Sequence, residues 1–160
     1  MKIDKEKMRY RKKASGIIFN PNNSILLVQL HVYNDNEWNV PGGGIETGET
    51  AETAIMRELE EELGTNKFEI VERSSIVNRY EFPDELIEKI IAEGKNFRGQ
   101  EQTQFVLRFK GEDSEIKLQE DEIRKHKWVP LKELKLHLIF PNQLENIIKV
   151  IEASSIDINS

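Results

Sequence analysis

Residues 42–65 read GGGIETGETAETAIMRELEEELGT, three glycines leading into a segment that crowds glutamates along a helical pattern. Thr50 is a good helix N-cap and Gly64 a good terminator, so the spacing predicts a helix running to about Leu63. At about 3.6 residues per turn, Glu58, Glu61 and Glu62 stand at i, i+3 and i+4 on one arc. Glu60 points roughly the opposite way, and Ile55, Leu59 and Leu63 form a neighbouring apolar stripe that can pack on a sheet. Three carboxylates on one arc repel one another and gain nothing from the dipole near the C-terminal end of a helix. The pattern asks for a cation. Hard divalent ions take oxygen ligands, and Mg²⁺ typically combines a few carboxylates with substrate phosphates and water.

Outward from this segment, ASGIIF and SILLVQL are rich in β-formers and are separated by NPNN, which predicts a hairpin. WNVPGGG reads as a short strand running into a glycine turn, residues 68–82 as extended chain, and PDELIEKIIAEG as a helix. EQTQFVLRFKG alternates as a strand with Phe105, Leu107 and Phe109 on one face, and EIKL and HKWVPL read as further short strands. NQLENIIKVIEA spaces Leu144, Ile147, Ile148 and Ile151 on one helical face, so a docked helix follows. The class is α/β (α+β): a basic arm over residues 1–13, one domain over 14–153 and a tail over 154–160.

At 160 residues, with 38% hydrophobic and 32% charged residues, the chain suits one soluble domain with a real core. It has no cysteine, so neither a disulfide partner nor a thiolate metal site exists. Apolar runs such as ILLV are too short to span a membrane, and the first residues are too charged for a secretory signal. A cytoplasmic location is the expectation. The net charge of −6 is uneven: Lys2, Lys5, Lys7, Arg9, Arg11, Lys12 and Lys13 face only Asp4 and Glu6 in the arm. The acidic body argues against general nucleic-acid adhesion, while the arm reads equally as a polyanion contact or a solvated, partly disordered terminus.

Gly43, Glu49, Arg57, Glu58, Glu61, Glu62 and Gly64 together resemble the Nudix box, the signature of hydrolases acting on nucleoside diphosphates linked to another moiety. By composition alone, seven such identities at fixed spacing coincide with a probability on the order of 10⁻⁸ per window. Where the family usually ends its box with an aliphatic residue, this chain has Thr65. The resemblance implies a Nudix fold, a mixed central sheet sandwiched between helices. It also implies Mg²⁺ or Mn²⁺ held by Glu58, Glu61 and Glu62, one of them also available as a base, with Arg57 part of the catalytic set. The ion would polarise a bridging phosphate and acidify an attacking water. Glu49 can reach Arg57 two turns along and brace the loop, Gly64 is structural, and Gly43 and Gly44 would let the backbone approach phosphates.

NRYEFP (from Asn78), FRGQEQTQF (from Phe97) and EIRKHKWV (from Glu122) resemble one Nudix branch, that of bacterial RNA 5′-pyrophosphohydrolases and dinucleoside-polyphosphate hydrolases. By that resemblance Glu122 supplies a further metal or catalytic carboxylate, and Tyr80 and Phe140 stack on a base. Core packing is the competing role for both aromatics, since Tyr80 shares a strand face with Ile76 and Phe82. Arg9, Arg11, Lys12 and Lys13 are candidates to meet substrate phosphates, with Arg11 in the substrate-binding set. The chain departs from the branch in reading PGGG for Pro-Gln-Gly-Gly, in Glu101 and Thr103 where basic residues are frequent, and in Gln104 where tryptophan is frequent. His31, His126 and His137 lack a ligand spacing, and nothing resembles a nucleophile with its base. The expected activity is cleavage of a phosphoanhydride in a dinucleoside polyphosphate or a 5′-phosphorylated RNA end. The alternatives are hydrolysis of nucleoside triphosphates or nucleotide sugars such as ADP-ribose, and a non-catalytic nucleotide-binding module.

Overall fold

The computed structural model describes residues 3–158; Lys2 of the basic arm and the last two residues of the tail lie outside them. Strands β1 (Arg9–Phe19) and β2 (Ser24–Leu30) form the expected hairpin across the NPNN turn, where Asn23 takes a positive φ of 61°. They are followed by β3 (Gly42–Gly44), α1 (Ala51–Leu63), β4 (Phe68–Arg73), β5 (Asn78–Glu81) and α2 (Asp84–Ala92). Then come β6 (Phe97–Phe109), β7 (Ile123–Pro130) and α3 (Gln143–Ala153). The sheet runs β4-β6-β1-β2-β7, with β3 added to β1 and β5 to β6. Only β1 and β6 pair in parallel among these strands, so the sheet is mixed and the architecture is α+β.

Alternation along the central strands sets the two layers. Ala14, Ile18, Phe105 and Leu107 point to the face that receives α1, where Ile55, Leu59 and Leu63 are fully buried. Ile17, Phe19 and Val106 point to the other face, where α3 docks through Ile147, Val150 and Ile151. Each large aliphatic side chain buried there is worth roughly 1.5–3 kcal/mol, against a few tenths for each like-charge pair on the outer arc of α1. The apolar stripe therefore decides where α1 lies, and the carboxylates go where it puts them.

The ends of α1 follow the sequence. Thr50 Oγ1 accepts from the Thr53 N–H at 3.1 Å, and Gly64 closes the helix at φ 70° with its N–H on the Glu60 carbonyl. EIKL, expected as a strand, is none: a 3₁₀ turn at Asp113–Glu115 leads into irregular chain. The reason lies in α1, whose last carbonyls need donors. Lys117 N–H donates to Leu63 O at 2.8 Å and Gln119 N–H to Glu62 O at 3.0 Å, so this segment serves the helix end instead of a sheet.

Two further boundaries move. The three glycines form β3, paired with Ser15, Ala14 and Lys13, where a turn is expected. Residues from Arg9 to Lys13, assigned to the arm by composition, are sheet, because β6 starts at Phe97 and offers them partners. At the other end, Ile156 and Ile158 pack on the α3 side, with Asn23 and Arg108 donating to the carbonyls of Ile158 and Asp157.

A methyl group at Gly64 would sit 2.6 Å from the Lys117 carbonyl oxygen, in a left-handed conformation that L-residues resist. Gly64→Ala should therefore cost about 1–3 kcal/mol, read as a drop of several degrees in melting temperature. An unchanged melt would contradict the cap.

Candidate active site

Arg57 is the hub of the site. Its Nε and Nη2 donate to the two oxygens of Glu49 at 2.7 and 2.9 Å, and Nη2 also donates to the Gly44 carbonyl at 2.9 Å. Nη1 donates to Glu58 at 2.9 Å and more weakly to Glu61 at 3.4 Å. One guanidinium thus ties the loop before α1, the end of β3 and two carboxylates of the arc. Its hydrogen bonds hold the Glu49 carboxyl at about 2, and the same partners push Arg57 well above the usual range.

The arc predicted from periodicity divides by environment. Glu61 is 54% exposed, whereas Glu62 is 4% exposed and lies against Gly42, whose backbone N–H donates to it. Burial first, then the neighbouring charge of Glu58, pushes the Glu62 carboxyl up to about 8; Lys13 opposes this and Glu122 adds to it. Glu58 lies so close under the glycines that a Cβ at Gly43 would stand 2.2 Å from its carboxyl. Gly43 and Gly44 thus make room for Glu58 and for Arg11, which lies 3.3 Å from where a Gly44 Cβ would be. A cavity of about 390 Å³ gathers Glu58, Glu62, Glu122, Arg11, Lys13 and the glycines. Glu122 comes from the turn before β7, held there by its carbonyl accepting from His31 N–H at 2.9 Å.

A second cavity of about 480 Å³ opens on the same side of β1. Arg11 and Lys13 line the first cavity and Ser15, two residues further on, lines the second. Its walls are Tyr33, Tyr80 and Phe140, with amides from Asn39, Asn78, Gln102, Gln104 and Asn146. Tyr80 is 42% exposed, with its hydroxyl donating to Gln100 at 2.7 Å and its ring edge-on to Phe82. It is not core. Phe140 meets Tyr33 edge-on at 5.4 Å.

A scan against family models matches residues 9–150 to the NUDIX domain. The chain belongs to the Nudix family. It is 38% identical to an RNA pyrophosphohydrolase of Sphingopyxis alaskensis, over 87% of this chain and 89% of that protein. It is 37% identical to one of Erythrobacter litoralis, over 89% and 88%. Among solved structures it resembles the dihydroneopterin triphosphate pyrophosphohydrolase of E. coli (TM-score 0.69, 21% identity, 91% of this chain and 99% of that one). It also resembles the C. elegans Ap4A hydrolase (TM-score 0.63, 17% identity, 88% and 96%), and both likenesses speak for the fold. The chain is a Nudix hydrolase acting on phosphoanhydrides.

Nudix hydrolases generally use divalent ions. Among the described residues no three His, Asp or Glu side chains stand grouped so as to hold an ion as they are. Arg57 pairs with Glu58 and Glu61, and Glu61 is largely exposed. The donor chemistry nonetheless fits a hard cation. Among the described residues Glu62 is a buried carboxyl group with no ion pair, and Glu58 and Glu122 line the same cavity. No helix among the described residues is long and apolar enough to cross a membrane.

Sequence reasoning passed over Tyr33 and took Lys13 as an arm residue that could meet substrate phosphates, not as a neighbour of the carboxylates. Tyr33 was readable only as an aromatic inside the polar loop HVYNDNEW. Gln104 is 1% exposed and exchanges two hydrogen bonds with Asn146, at 3.0 and 2.7 Å, so it ties β6 to α3. Glu101 is paired with Lys12 and Arg79. Thr65 is buried and fills the aliphatic place at the end of the box.

Glu62 generates a pH prediction. Its folded value is about 8 and its unfolded value about 4.5, so between these the folded chain holds a proton that the unfolded chain has released. In EDTA this group's contribution is complete below about pH 4.5 and is lost as pH rises through 8. Urea unfolding at pH 5, 6.5 and 8 should show that loss in the wild type and not in Glu62→Gln. Parallel curves for the two proteins would contradict the burial of this carboxyl.

Proposed function

We propose that this Nudix hydrolase is an RNA pyrophosphohydrolase, cleaving a phosphoanhydride at a 5′-phosphorylated RNA end by water attack at phosphorus, with Mg²⁺ or Mn²⁺. The name carried by relatives 34–38% identical over most of the chain supports it. The observation that carries it is the succession along β1, from Arg11 and Lys13 beside the carboxylates to Ser15 in the aromatic cavity. Alternate strand residues lie about 6.6 Å apart, close to the step from a nucleoside to its phosphates. With such a substrate the reading includes a cytoplasmic location.

In this reading Tyr80, Tyr33 and Phe140 clamp a base, and Arg11 and Lys13 meet the phosphates. Glu58 and Glu62 would hold the ion, with Glu122 and Glu61. The ion, when bound, neutralises phosphate charge and lowers the pKa of water. Glu61, exposed and only weakly held by Arg57, is the carboxylate with freedom to swing in and take the water proton. Arg57 keeps Glu58 and the Gly44 carbonyl fixed while that happens. The products are two phosphorylated fragments, with no covalent enzyme intermediate. A binding module without catalysis is disfavoured by the intact carboxylates.

One observation favours a dinucleoside polyphosphate as a second substrate. Beyond Gly44 and Glu58 an open cleft of about 890 Å³ is walled by Arg9, Tyr10, Lys12 and Phe97, with room for a second nucleoside.

Triphosphorylated RNA, diadenosine tetraphosphate, ADP-ribose and nucleoside triphosphates should be compared with Mg²⁺ present. RNA should have the highest kcat/KM, and Glu62→Gln should lower its kcat by several orders of magnitude with the fold intact. Preference for a free nucleotide would overturn the RNA reading. The aromatic cavity makes its own prediction. Stacking is worth roughly 1–3 kcal/mol per base, so Tyr80→Ala should cost about 10- to 100-fold in kcat/KM. Tyr80→Phe should retain most activity, and the half-exposed ring should leave the melting temperature of Tyr80→Ala within a few degrees of wild type. Full activity in Tyr80→Ala would remove the base clamp.

A further inference from the structure

We propose that Lys13 is a resident counter-cation of the carboxylate site and that it sets how tightly a divalent ion binds there. This rests on the metal-site reading above. Arg57 serves Glu49, Glu58 and Glu61, but no hydrogen bond or ion pair joins it to Glu62 among the described residues. The basic side chains that share the cavity of the buried Glu62 are Arg11 and Lys13, and Lys13 is the one set opposite Gly44 in the sheet.

The backbone of Lys13 cannot retreat. It is the residue of β1 that pairs with Gly44 of β3 on one side and Gln102 of β6 on the other. Its side chain projects into the cavity that holds Glu58, Glu62 and Glu122, and Arg11 stands two residues before it on the same strand. Yet it makes no ion pair within 4 Å among the described residues, so no single carboxylate locks it. Burial pushes its ammonium below the usual range, while Glu62 and Glu58 push it back up. Lys13 is thus near enough to offset the carboxylates and free enough to yield.

A divalent ion entering between Glu58 and Glu62 meets that ammonium as a like charge. In a half-enclosed cavity, unit charges a few ångströms apart interact strongly enough to change affinity by roughly ten- to a hundredfold. The same lysine therefore acts in opposite directions: it steadies the metal-free chain and weakens the bound metal. A lysine that served only packing would do the first and not the second.

The test uses the full chain with Mn²⁺ alone, by calorimetry at fixed ionic strength, together with melting in EDTA at pH 9, where the Glu62 carboxyl is ionised. Lys13→Met should melt lower in EDTA and bind Mn²⁺ at least about tenfold tighter than wild type, while Lys13→Arg stays close to wild type on both counts. Unchanged or weaker Mn²⁺ binding by Lys13→Met would overturn the proposal. Should Lys13→Met not fold in EDTA, Lys13→Met/Glu62→Gln decides. That double variant should regain the metal-free melting temperature, and failure to exceed Lys13→Met alone would overturn the pairing. Mn²⁺ binding that is equal in wild type and Glu58→Gln/Glu62→Gln would instead overturn the metal site itself, an outcome separable from the others.

Discussion

The guanidinium of Arg57 is the contact on which the geometry of the candidate active site depends. It joins three pieces of chain through one group: the loop at Glu49, the end of β3 at Gly44 and the outer arc of α1 at Glu58. A planar fork with five donors can satisfy all of them at once, whereas a lysine ammonium offers three donors from a single point. Partly buried pairs of this kind are costly to break from one side, because the abandoned carboxylates lose their partner without regaining full solvation. The hub is therefore a constraint on shape more than a source of net stability.

The second constraint is that α1 serves two purposes on two faces. Ile55, Leu59 and Leu63 fix it to the sheet, and that packing delivers Glu62 into a position where its charge is poorly solvated. The glycines of β3 complete the arrangement from the opposite side. Gly42 is packed against the Ala14 carbonyl and Gly43 against the Glu58 carboxyl, at separations that no side chain could share. A site built from crowded like charges is thus held by apolar burial behind it and backbone contact in front of it. Its resident cations include Arg57, fixed by its carboxylate partners, and Lys13, free to yield.

What was legible in the sequence was local. The caps Thr50 and Gly64, the apolar stripe, the carboxylate arc and the reach from Glu49 to Arg57 all lie within sixteen residues, so spacing alone described them. What was not legible depended on register. Lys13 faces the carboxylates only because β1 pairs with β3 at Gly44, and composition filed it with the basic arm. Tyr33, Tyr80 and Phe140 meet in one cavity from three separate segments. EIKL alternates like a strand but follows the demand of the α1 carbonyls for donors, which no window of sequence displays. Gln104 stands where the branch frequently has tryptophan, and burial makes it a tie to Asn146.

The central claim is that Glu58 and Glu62 close on a divalent ion in the cavity beneath the glycines. Anomalous scattering from crystals soaked in Mn²⁺ tests it without reference to substrate. The account predicts the strongest peak within about 2.5 Å of oxygens from both Glu58 and Glu62, with Arg57 still on Glu49 and the Lys13 ammonium displaced. A strongest peak elsewhere on the molecule, or none in this cavity at saturating Mn²⁺, would contradict it.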